Sequence, residues 1–210
     1  MKKKITHHQF YDNFNPFLKR GFDIVFSGFI IVFLLSWMYP LFALIIKLQS
    51  HGPVFYKQLR EGKNGSHFMC LKFRSMHLND ESDSSWTKVN DPRVTSFGVF
   101  LRRTSLDEFP QFLNVFIGSM SIVGPRPHPI QLNNLYRDHI EKFTLRHHAK
   151  PGVTGLSQMK GYRGSITNYH QMSARVKLDR FYIQHWTFLL DLKIILLTIP
   201  ATIQWGLSSK

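Results

Sequence analysis

The sequence predicts a small mixed domain of the α/β (α+β) class, with an N-terminal re-entrant membrane helix and interfacial amphipathic helices. Three observations carry this reading. Residues 24–46 form one uncharged apolar run. Residues 53–57 and 67–74 read as strands around a turn that contains Gly62, Asn64 and Gly65. Phe109, Phe112, Leu113 and Phe116 recur at helical spacing. The 210 residues suffice for one domain with its own core, plus appendages. The expected divisions are a basic N-terminal segment (1–22), a membrane helix (23–50), a central domain (51–180) and a C-terminal interfacial helix (181–210).

The formal net charge of +14 points to an anionic partner: nucleic acid, phosphorylated metabolites or an acidic membrane face. A single cysteine, Cys70, rules out an internal disulfide. The eleven histidines include the doublets His7-His8 and His147-His148, yet none has metalloprotease spacing or joins cysteines as a zinc set. They read as surface residues. Neither a Walker A sequence nor a dinucleotide-binding glycine fingerprint is present, so a standard nucleotide fold is not expected.

The apolar run is about 23 residues long, where a spanning helix needs roughly 20. It is too long for a signal peptide, and no small-residue cleavage site follows. A buried soluble helix is the plainer alternative, but such helices are seldom apolar on every face. Lys2, Lys3, Lys4, Lys19 and Arg20 precede the run, and Lys47, Lys57, Arg60 and Lys63 follow it. Positive flanks favour the cytoplasmic side, and here both ends ask for it. Pro40 removes one helical hydrogen bond, and Ser36, one turn earlier, can return a hydroxyl to a freed carbonyl. Ser36 and Pro40 are therefore the expected break of a helix that enters, bends and leaves by the same face.

In the second strand Lys72 and Arg74 share one face, while Leu71 and Phe73 point the other way. An exposed face would explain that alternation on its own.

The stretch 104–127 carries the densest signal. Asp107 and Glu108 stand between Arg102-Arg103 and Arg126 in a chain with few acids. Carboxylates so surrounded suit a site that acts on something still more negative, such as a pyrophosphate. Ser105-Leu-Asp-Glu108 reads as a capping box, with a helix starting near Asp107 and Pro110 tolerated in its first turn. Acids in a first turn are common without any function, since they offset the helix dipole by about 0.3–1 kcal/mol. The loop Gly124-Pro-Arg-Pro-His-Pro129 weighs against that plainer explanation. Pro125 and Pro127 stiffen it, so that Arg126 and His128 are held out with little freedom to lose. A rigid arginine fork suits a phosphate or a nucleotide edge. Gly152, Gly155, Gly161 and Gly164 with Lys150, Lys160 and Arg163 make a later Gly-rich basic loop. Residues 181–200 are apolar but carry Asp191, Lys193 and Pro200, which suits an interfacial helix better than a span. A core helix ending the domain fits that pattern equally well.

With these pieces in order, the chain resembles the bacterial sugar transferases known as monotopic phosphoglycosyl transferases, from about residue 19 to 198. The matching motifs are Lys19-Arg-Gly-Phe-Asp23, Gly52-Pro-Val-Phe-Tyr56, Lys72-Phe-Arg-Ser-Met76, Asp91-Pro-Arg-Val-Thr95, Leu101-Arg-Arg-Thr-Ser-Leu-Asp-Glu108 and Val123-Gly-Pro-Arg-Pro127. Lys150-Pro-Gly-Val-Thr-Gly155 and Leu190-Asp-Leu-Lys193 continue them. Each is weak alone, and the ordered series is specific. Gly161-Tyr-Arg-Gly164 is similar to the undecaprenyl-phosphate glucose phosphotransferase branch, which starts exopolysaccharides.

The resemblance implies a UDP-sugar donor, a polyprenyl (undecaprenyl) phosphate acceptor and Mg²⁺. The branch implies glucose, with galactose and N-acetylated sugars as alternatives. It implies a catalytic domain on the cytoplasmic face of a bacterial inner membrane, in contact with phospholipid. Downstream glycosyltransferases are candidate partners, and nucleic acid is not expected. By family pattern Asp107 is the nucleophile, Glu108 assists with metal and proton handling, and both are candidate metal ligands. The loop of Pro125, Arg126 and Pro127 contacts the nucleotide, and Arg102 contacts phosphate. Lys72, Arg74 and Arg103 complete the expected substrate-binding set.

The implied reaction has two displacements: Asp107 expels UMP to form a phosphosugar-aspartyl enzyme, and the lipid phosphate then discharges it. The sequence departs from the family twice. Gly118-Ser-Met-Ser121 stands where Gly-Asp-Met-Ser is usual, so Ser119 replaces an acid, and Ser36-Trp37 replaces a Ser-Pro break. A non-catalytic basic module bound to the membrane, holding nucleic acid or anionic lipid, would explain the charge and the apolar run. It would not explain the Asp-Glu pair.

Overall fold

The computed structural model describes residues 15–78, 91–164, 166 and 168–208; Lys2, Lys3, Lys4 and most of the basic N-terminal segment lie outside them. Helix and small sheets mix as expected. The described chain opens with one rod: α1 (Pro16–Ile30), a π turn (Ile31–Leu35) and α2 (Ser36–Gln49). Asn15 caps the rod by accepting from the amides of Phe17 and Leu18. Pro16 sits in the first turn, where a missing amide leaves no hydrogen bond unmade.

One face of the rod is buried from end to end, through Lys19, Asp23, Ser27, Ile30, Leu35, Met38, Phe42 and Ile46. The opposite face exposes Val25, Phe29, Val32, Phe33, Trp37, Leu41, Leu44 and Leu48. Within the run 24–46 both faces are apolar but for Ser27 and Ser36, and the inward one is covered by the domain. The departure from α geometry precedes Pro40, which lies inside α2. In the π turn the Ser36 amide reaches back five residues to the Ile31 carbonyl. Ser36 Oγ donates to the Val32 carbonyl at 2.5 Å, and Trp37 Nε1 donates to that of Phe33 at 3.0 Å. The hydroxyl does return to a backbone carbonyl, but at the π turn rather than at the carbonyl that Pro40 leaves without its helical donor.

After the rod, β1 (Phe55–Glu61) pairs antiparallel with β2 (His67–Phe73), Tyr56 standing opposite Lys72. The first strand runs on to Glu61, past its expected end, because the reversal is made by Gly62–Ser66 with Asn64 in the left-handed region at φ 54°. Helices α3 (Ser96–Thr104) and α4 (Gln111–Ile117) follow, then β3 (Ser121–Val123) and α5 (Ile130–Arg137). β4 (Gly152–Thr154) pairs parallel with β3. The chain ends in α6 (Leu156–Met159), α7 (Tyr169–Gln184) and α8 (Phe188–Ser208).

The expected C-terminal helix from residue 181 is thus two pieces, since 181–184 close α7 and α8 starts at Phe188. α8 buries Asp191 and Ile194 and exposes Leu189, Leu196, Leu197, Ile199 and Ile203. By length and composition alone, the rod and α8 are each long and apolar enough to cross a membrane.

Two cores divide the rod between them. The α1 half packs on Phe112, Val115, Met120, Ile122, Tyr182 and Trp186. The α2 half packs on Phe73 and Leu101, with Leu106, Phe109 and Leu113 against it. Polar staples fix both ends. Lys19 Nζ donates to Asp191 Oδ2 at 2.6 Å, to the Val123 carbonyl and to Tyr182 Oη, while Asp191 also accepts from Tyr182 and Trp186. Asp23 accepts from Ser121 Oγ and the Ile122 amide, which ties α1 to β3. At the far end Gln49 Oε1 accepts from the Phe97 amide at the start of α3. Both ends of the rod therefore rest on the same domain.

Candidate active site

The site is built where β2, the 106–108 turn and the 124–129 loop meet. Ser105, in the left-handed region at φ 57°, ends α3, and a single 3₁₀ turn (Leu106–Glu108) follows before α4 begins at Gln111. The expected capping box does not form. Glu108 turns its carboxylate away from the Ser105 backbone, because two cations hold it. Arg126 grips it with both terminal nitrogens, Nη2 to Oε1 at 2.7 Å and Nη1 to Oε2 at 3.2 Å. Lys72 Nζ donates to Oε1 at 2.6 Å and lies 3.5 Å from Asp107 Oδ2. The ordered alternation of β2 delivers Lys72 to this point while Phe73 goes into the core. Asp107 is only 8% exposed.

The two neighbouring acids are shifted in opposite directions. Burial pushes the Asp107 carboxyl up, and the Glu108 charge beside it adds to the push, against the pull of Lys72, Arg102 and Arg126. Burial also opposes the Glu108 charge, but Arg126 and Lys72 outweigh it and hold that carboxyl well below the usual range. Glu108 is thus the more firmly ionised of the two, and Asp107 the more easily protonated.

The loop of Pro125, Arg126 and Pro127 is rigid for more reasons than its prolines. The Pro125 carbonyl accepts from the Gly152 amide, and the Pro127 carbonyl accepts from Arg60 at 2.6 Å. The Arg126 carbonyl accepts from Arg146, whose guanidinium is paired with Asp179 at 2.7 Å. Gly152 is required at this contact, since a Cβ there would fall 2.1 Å from the Gly124 nitrogen. His128 is not held out as the sequence suggested: it is buried against Arg146, and burial with Arg146 nearby keeps its ring well below its usual pKa, hence neutral.

Of the remaining sequence candidates, Arg102 faces the site. Its Nε donates to Ser75 Oγ at 2.8 Å; burial pushes the guanidinium down, and Asp107 is the main charge supporting it. Arg103 is exposed. Arg74 is committed elsewhere, donating to the carbonyls of Ser50 at 2.8 Å and His51, where it ties the end of α2 to β2. Ser119 bonds within its own turn, donating to the Asn114 carbonyl and accepting from its side-chain amide.

Sequence reasoning missed two arginines as site residues. Arg163 was visible only as one cation among glycines, and its Nη1 reaches Ser105 Oγ at 3.4 Å. Arg175, four residues before Asp179 on α7, carried no signal in the sequence, and both are buried. The lysine, arginine and acid motifs at 19–23 and 190–193 prove to be the staples of the rod rather than chemistry.

Among the described residues no three or more His, Cys, Asp or Glu gather as a metal set. The two hard carboxylates nonetheless suit Mg²⁺, which commonly takes one or two protein carboxylates and completes its shell with phosphates and water. Among the described residues Asp107 has one ion pair within 4 Å, to Lys72, whereas Glu108 would have to loosen Lys72 or Arg126.

The family model described as bacterial sugar transferase matches residues 14–205. The chain belongs to that family. It is 48% identical over 187 residues to a UDP-glucose:undecaprenyl-phosphate glucose-1-phosphate transferase of Escherichia coli strain K12, covering 88% of this chain and 40% of that protein. A protein of the same name from Xanthomonas campestris pv. campestris is 45% identical over 172 residues, covering 80% of this chain and 36% of that protein. Exopolysaccharide production protein PSS of Rhizobium leguminosarum bv. phaseoli is 42% identical, over 90% of this chain and 96% of its own length. The chain therefore spans about two fifths of the first two relatives and nearly all of the third. These matches favour a transferase over a non-catalytic basic module.

Proposed function

We propose that the protein is a phosphoglycosyl transferase that moves a sugar 1-phosphate from a UDP-sugar to undecaprenyl phosphate, as a starting step of exopolysaccharide synthesis. The observation that carries this reading is Asp107, buried beside a permanently paired Glu108 and faced by Lys72, Arg102 and Arg126. The relatives' names supply the substrate classes, with glucose as the sugar.

In the proposed reaction Asp107 Oδ attacks the sugar-bearing phosphorus of the donor. The bond to the bridging oxygen breaks, UMP leaves, and a phosphosugar-aspartyl enzyme remains. An oxygen of the lipid phosphate then attacks the same phosphorus, and the Asp107 carboxylate departs. Covalent catalysis divides one difficult transfer into two easier ones. An anion approaching a diphosphate meets roughly 4 kcal/mol of repulsion per charge pair at 4 Å and an effective dielectric near 20. Lys72, Arg102 and Arg126 are placed to offset it, and the rigid backing of Arg126 means the guanidinium need not reorganise as charge develops. Mg²⁺ held by Asp107, Glu108 and the donor phosphates would supply further neutralisation of those oxygens.

The same reading seats the protein on the cytoplasmic face of the inner membrane. The acceptor's tail cannot leave the bilayer cheaply, at about 0.8 kcal/mol per methylene, so the site must come to headgroup depth. The outward face of the rod and the exposed leucines and isoleucines of α8 offer apolar surface for that seat. A rod whose two ends rest on one domain supports entry and exit by the same face.

The deciding experiment is intact-mass analysis of purified protein incubated with UDP-glucose, Mg²⁺ and lipid. A phosphosugar adduct that appears with UMP release, and is lost in Asp107→Asn, supports the reading. An adduct persisting in Asp107→Asn would move the nucleophile elsewhere, and no turnover of any UDP-sugar would end the transferase reading.

A further inference from the structure

The two substrates of the proposed reaction each bring a phosphate to Asp107, one after the other. Lys72 and Arg126 are already engaged with Glu108, and Arg126 belongs to the loop that the nucleotide is expected to meet. A second anion needs a second cation, approaching from the side on which a lipid arrives.

The 161–164 loop supplies one. Gly161 and Gly164 take positive φ values of 88° and 73°, which a side chain would resist, and they frame Arg163. From there Arg163 Nη1 reaches Ser105 Oγ, two residues before the nucleophile. Its Nε is buried without a hydrogen-bond partner, although a buried N–H is normally satisfied. The loop is held from beneath by Arg175, whose Nη2 donates to the carbonyls of Arg163 at 3.1 Å and Gly164 at 3.0 Å. Arg175 Nε is also buried and unpartnered. On its outer side the loop meets α8: a Cβ on Gly164 would lie 3.7 Å from the Trp205 ring. α8 is the second apolar helix, exposing Leu196, Leu197, Ile199 and Ile203. Arg163 thus stands between a surface suited to lipid and the carboxylate that would carry the phosphosugar. Burial and the Arg126 charge both weigh against its positive charge, with Glu108 in support.

We propose that Arg163 binds the phosphate monoester of the lipid acceptor, and that Arg175 is the positioning residue that holds the 161–164 loop for it. The proposal rests on the transferase reading. In the discharge step the acceptor phosphate oxygen forms the new P–O bond as the bond between phosphorus and Asp107 Oδ breaks. Arg163 would orient that incoming phosphate and share its charge.

The two half-reactions separate the claim. Adduct formation from UDP-glucose is followed by intact mass, and discharge of the preformed adduct is followed with undecaprenyl phosphate in phospholipid vesicles. Arg163→Gln should raise the KM for undecaprenyl phosphate about ten- to a hundredfold, the range of a lost charge-assisted hydrogen bond, and leave adduct formation within about threefold. Arg163→Lys should recover part of the loss. Arg175→Gln should show the same acceptor-specific defect, with partial rescue by Arg175→Lys. Adduct formation in each variant reports at the same time that the fold is intact. A short, water-soluble prenyl phosphate should suffer the same loss, which assigns the contact to phosphate. Loss confined to the vesicle-borne acceptor would overturn the proposal in favour of a membrane contact. An equal fall in both half-reactions would overturn it in favour of the donor, and no change in either would overturn it outright. Absence of any adduct in the unaltered protein is a different result, because it refutes the transferase reading itself.

Discussion

Replacing Lys72 by methionine isolates the electrostatic part of the proposed chemistry. The ammonium lies 3.5 Å from Asp107 and 2.6 Å from Glu108, while Arg126 keeps its own two bonds to Glu108. At 3.5 Å and an effective dielectric near 20, one charge pair is worth about 4–5 kcal/mol. Both side chains keep some solvent contact, so screening reduces the net effect to about 2 kcal/mol, or roughly thirtyfold in rate. The pH dependence follows from the direction of the Asp107 shift. Burial and Glu108 already raise its carboxyl, and Lys72 is the largest influence lowering it. Without Lys72 the group rises further, so the ionised nucleophile appears only at higher pH. Single-turnover adduct formation should therefore rise with pH in both proteins, with the rising limb displaced upward in Lys72→Met. The deficit should be deepest in acid and narrow as pH increases, and Lys72→Arg should keep the limb in place. A loss of equal depth at every pH would refute this reasoning and leave Lys72 as a substrate contact alone.

Two further outcomes test the scaffold. Asp191→Asn removes the ion-pair partner of the buried Lys19 ammonium, leaving it the more distant Asp23, which should cost about 3 kcal/mol and lower the detergent-solubilised Tm by roughly 6–12 °C; the Lys19→Met/Asp191→Leu pair should recover most of it. Val25→Glu with Leu44→Glu, both on the outward face of the rod, should weaken vesicle binding in a flotation assay yet leave the Tm in detergent nearly unchanged, whereas Met38→Glu on the inward face should lower it.

Local patterns revealed what local physics decides. The hairpin, the apolar rod and the helical spacing after Phe109 are each governed by a period, and each was legible. The Asp107–Glu108 pair was legible as chemistry, because acids are scarce in this chain and cations crowd them. What stayed hidden depends on distant partners. Ser105-Leu-Asp-Glu108 spells a capping box, but Lys72 and Arg126 outbid the backbone for Glu108. Arg74 shares the alternation of Lys72, yet it lies just beyond β2, where the carbonyls of Ser50 and His51 take it. His128 sits in the most exposed-looking loop of the sequence and is buried because Arg146 crosses beneath it. No window of residues shows that Arg175 and Asp179 face inward, since a base and an acid four apart on a helix are equally at home in water, and their bonds go to Arg163, Gly164 and Arg146.

The rod holds one more testable consequence in its spacing. Its buried positions advance by 4, 4 and 3 residues from Lys19 to Ile30, by 5 to Leu35, and by 3, 4 and 4 to Ile46. At about 100° per residue the two outer stretches keep their stripe nearly straight, whereas the five-residue step would swing it by about 140°. The swing falls on the π turn, whose wider loop takes up one residue. The π turn thus behaves as a one-residue insertion that keeps both halves of the rod facing the domain. Deleting Phe33, which is exposed inside that turn, should restore α spacing and leave Phe42 and Ile46 in their core, with stability changed by about 1 kcal/mol or less. Deleting Leu41, equally outward but beyond the turn, should rotate Phe42 and Ile46 by about 100° out of the core and cost more than about 3 kcal/mol. Because Leu106 and Phe109 pack on that same half of the rod, the second deletion should also displace the turn that carries Asp107 and depress adduct formation. Equal damage from the two deletions, measured by Tm in detergent, would mean that the π turn is required for its own geometry and that the register argument is wrong.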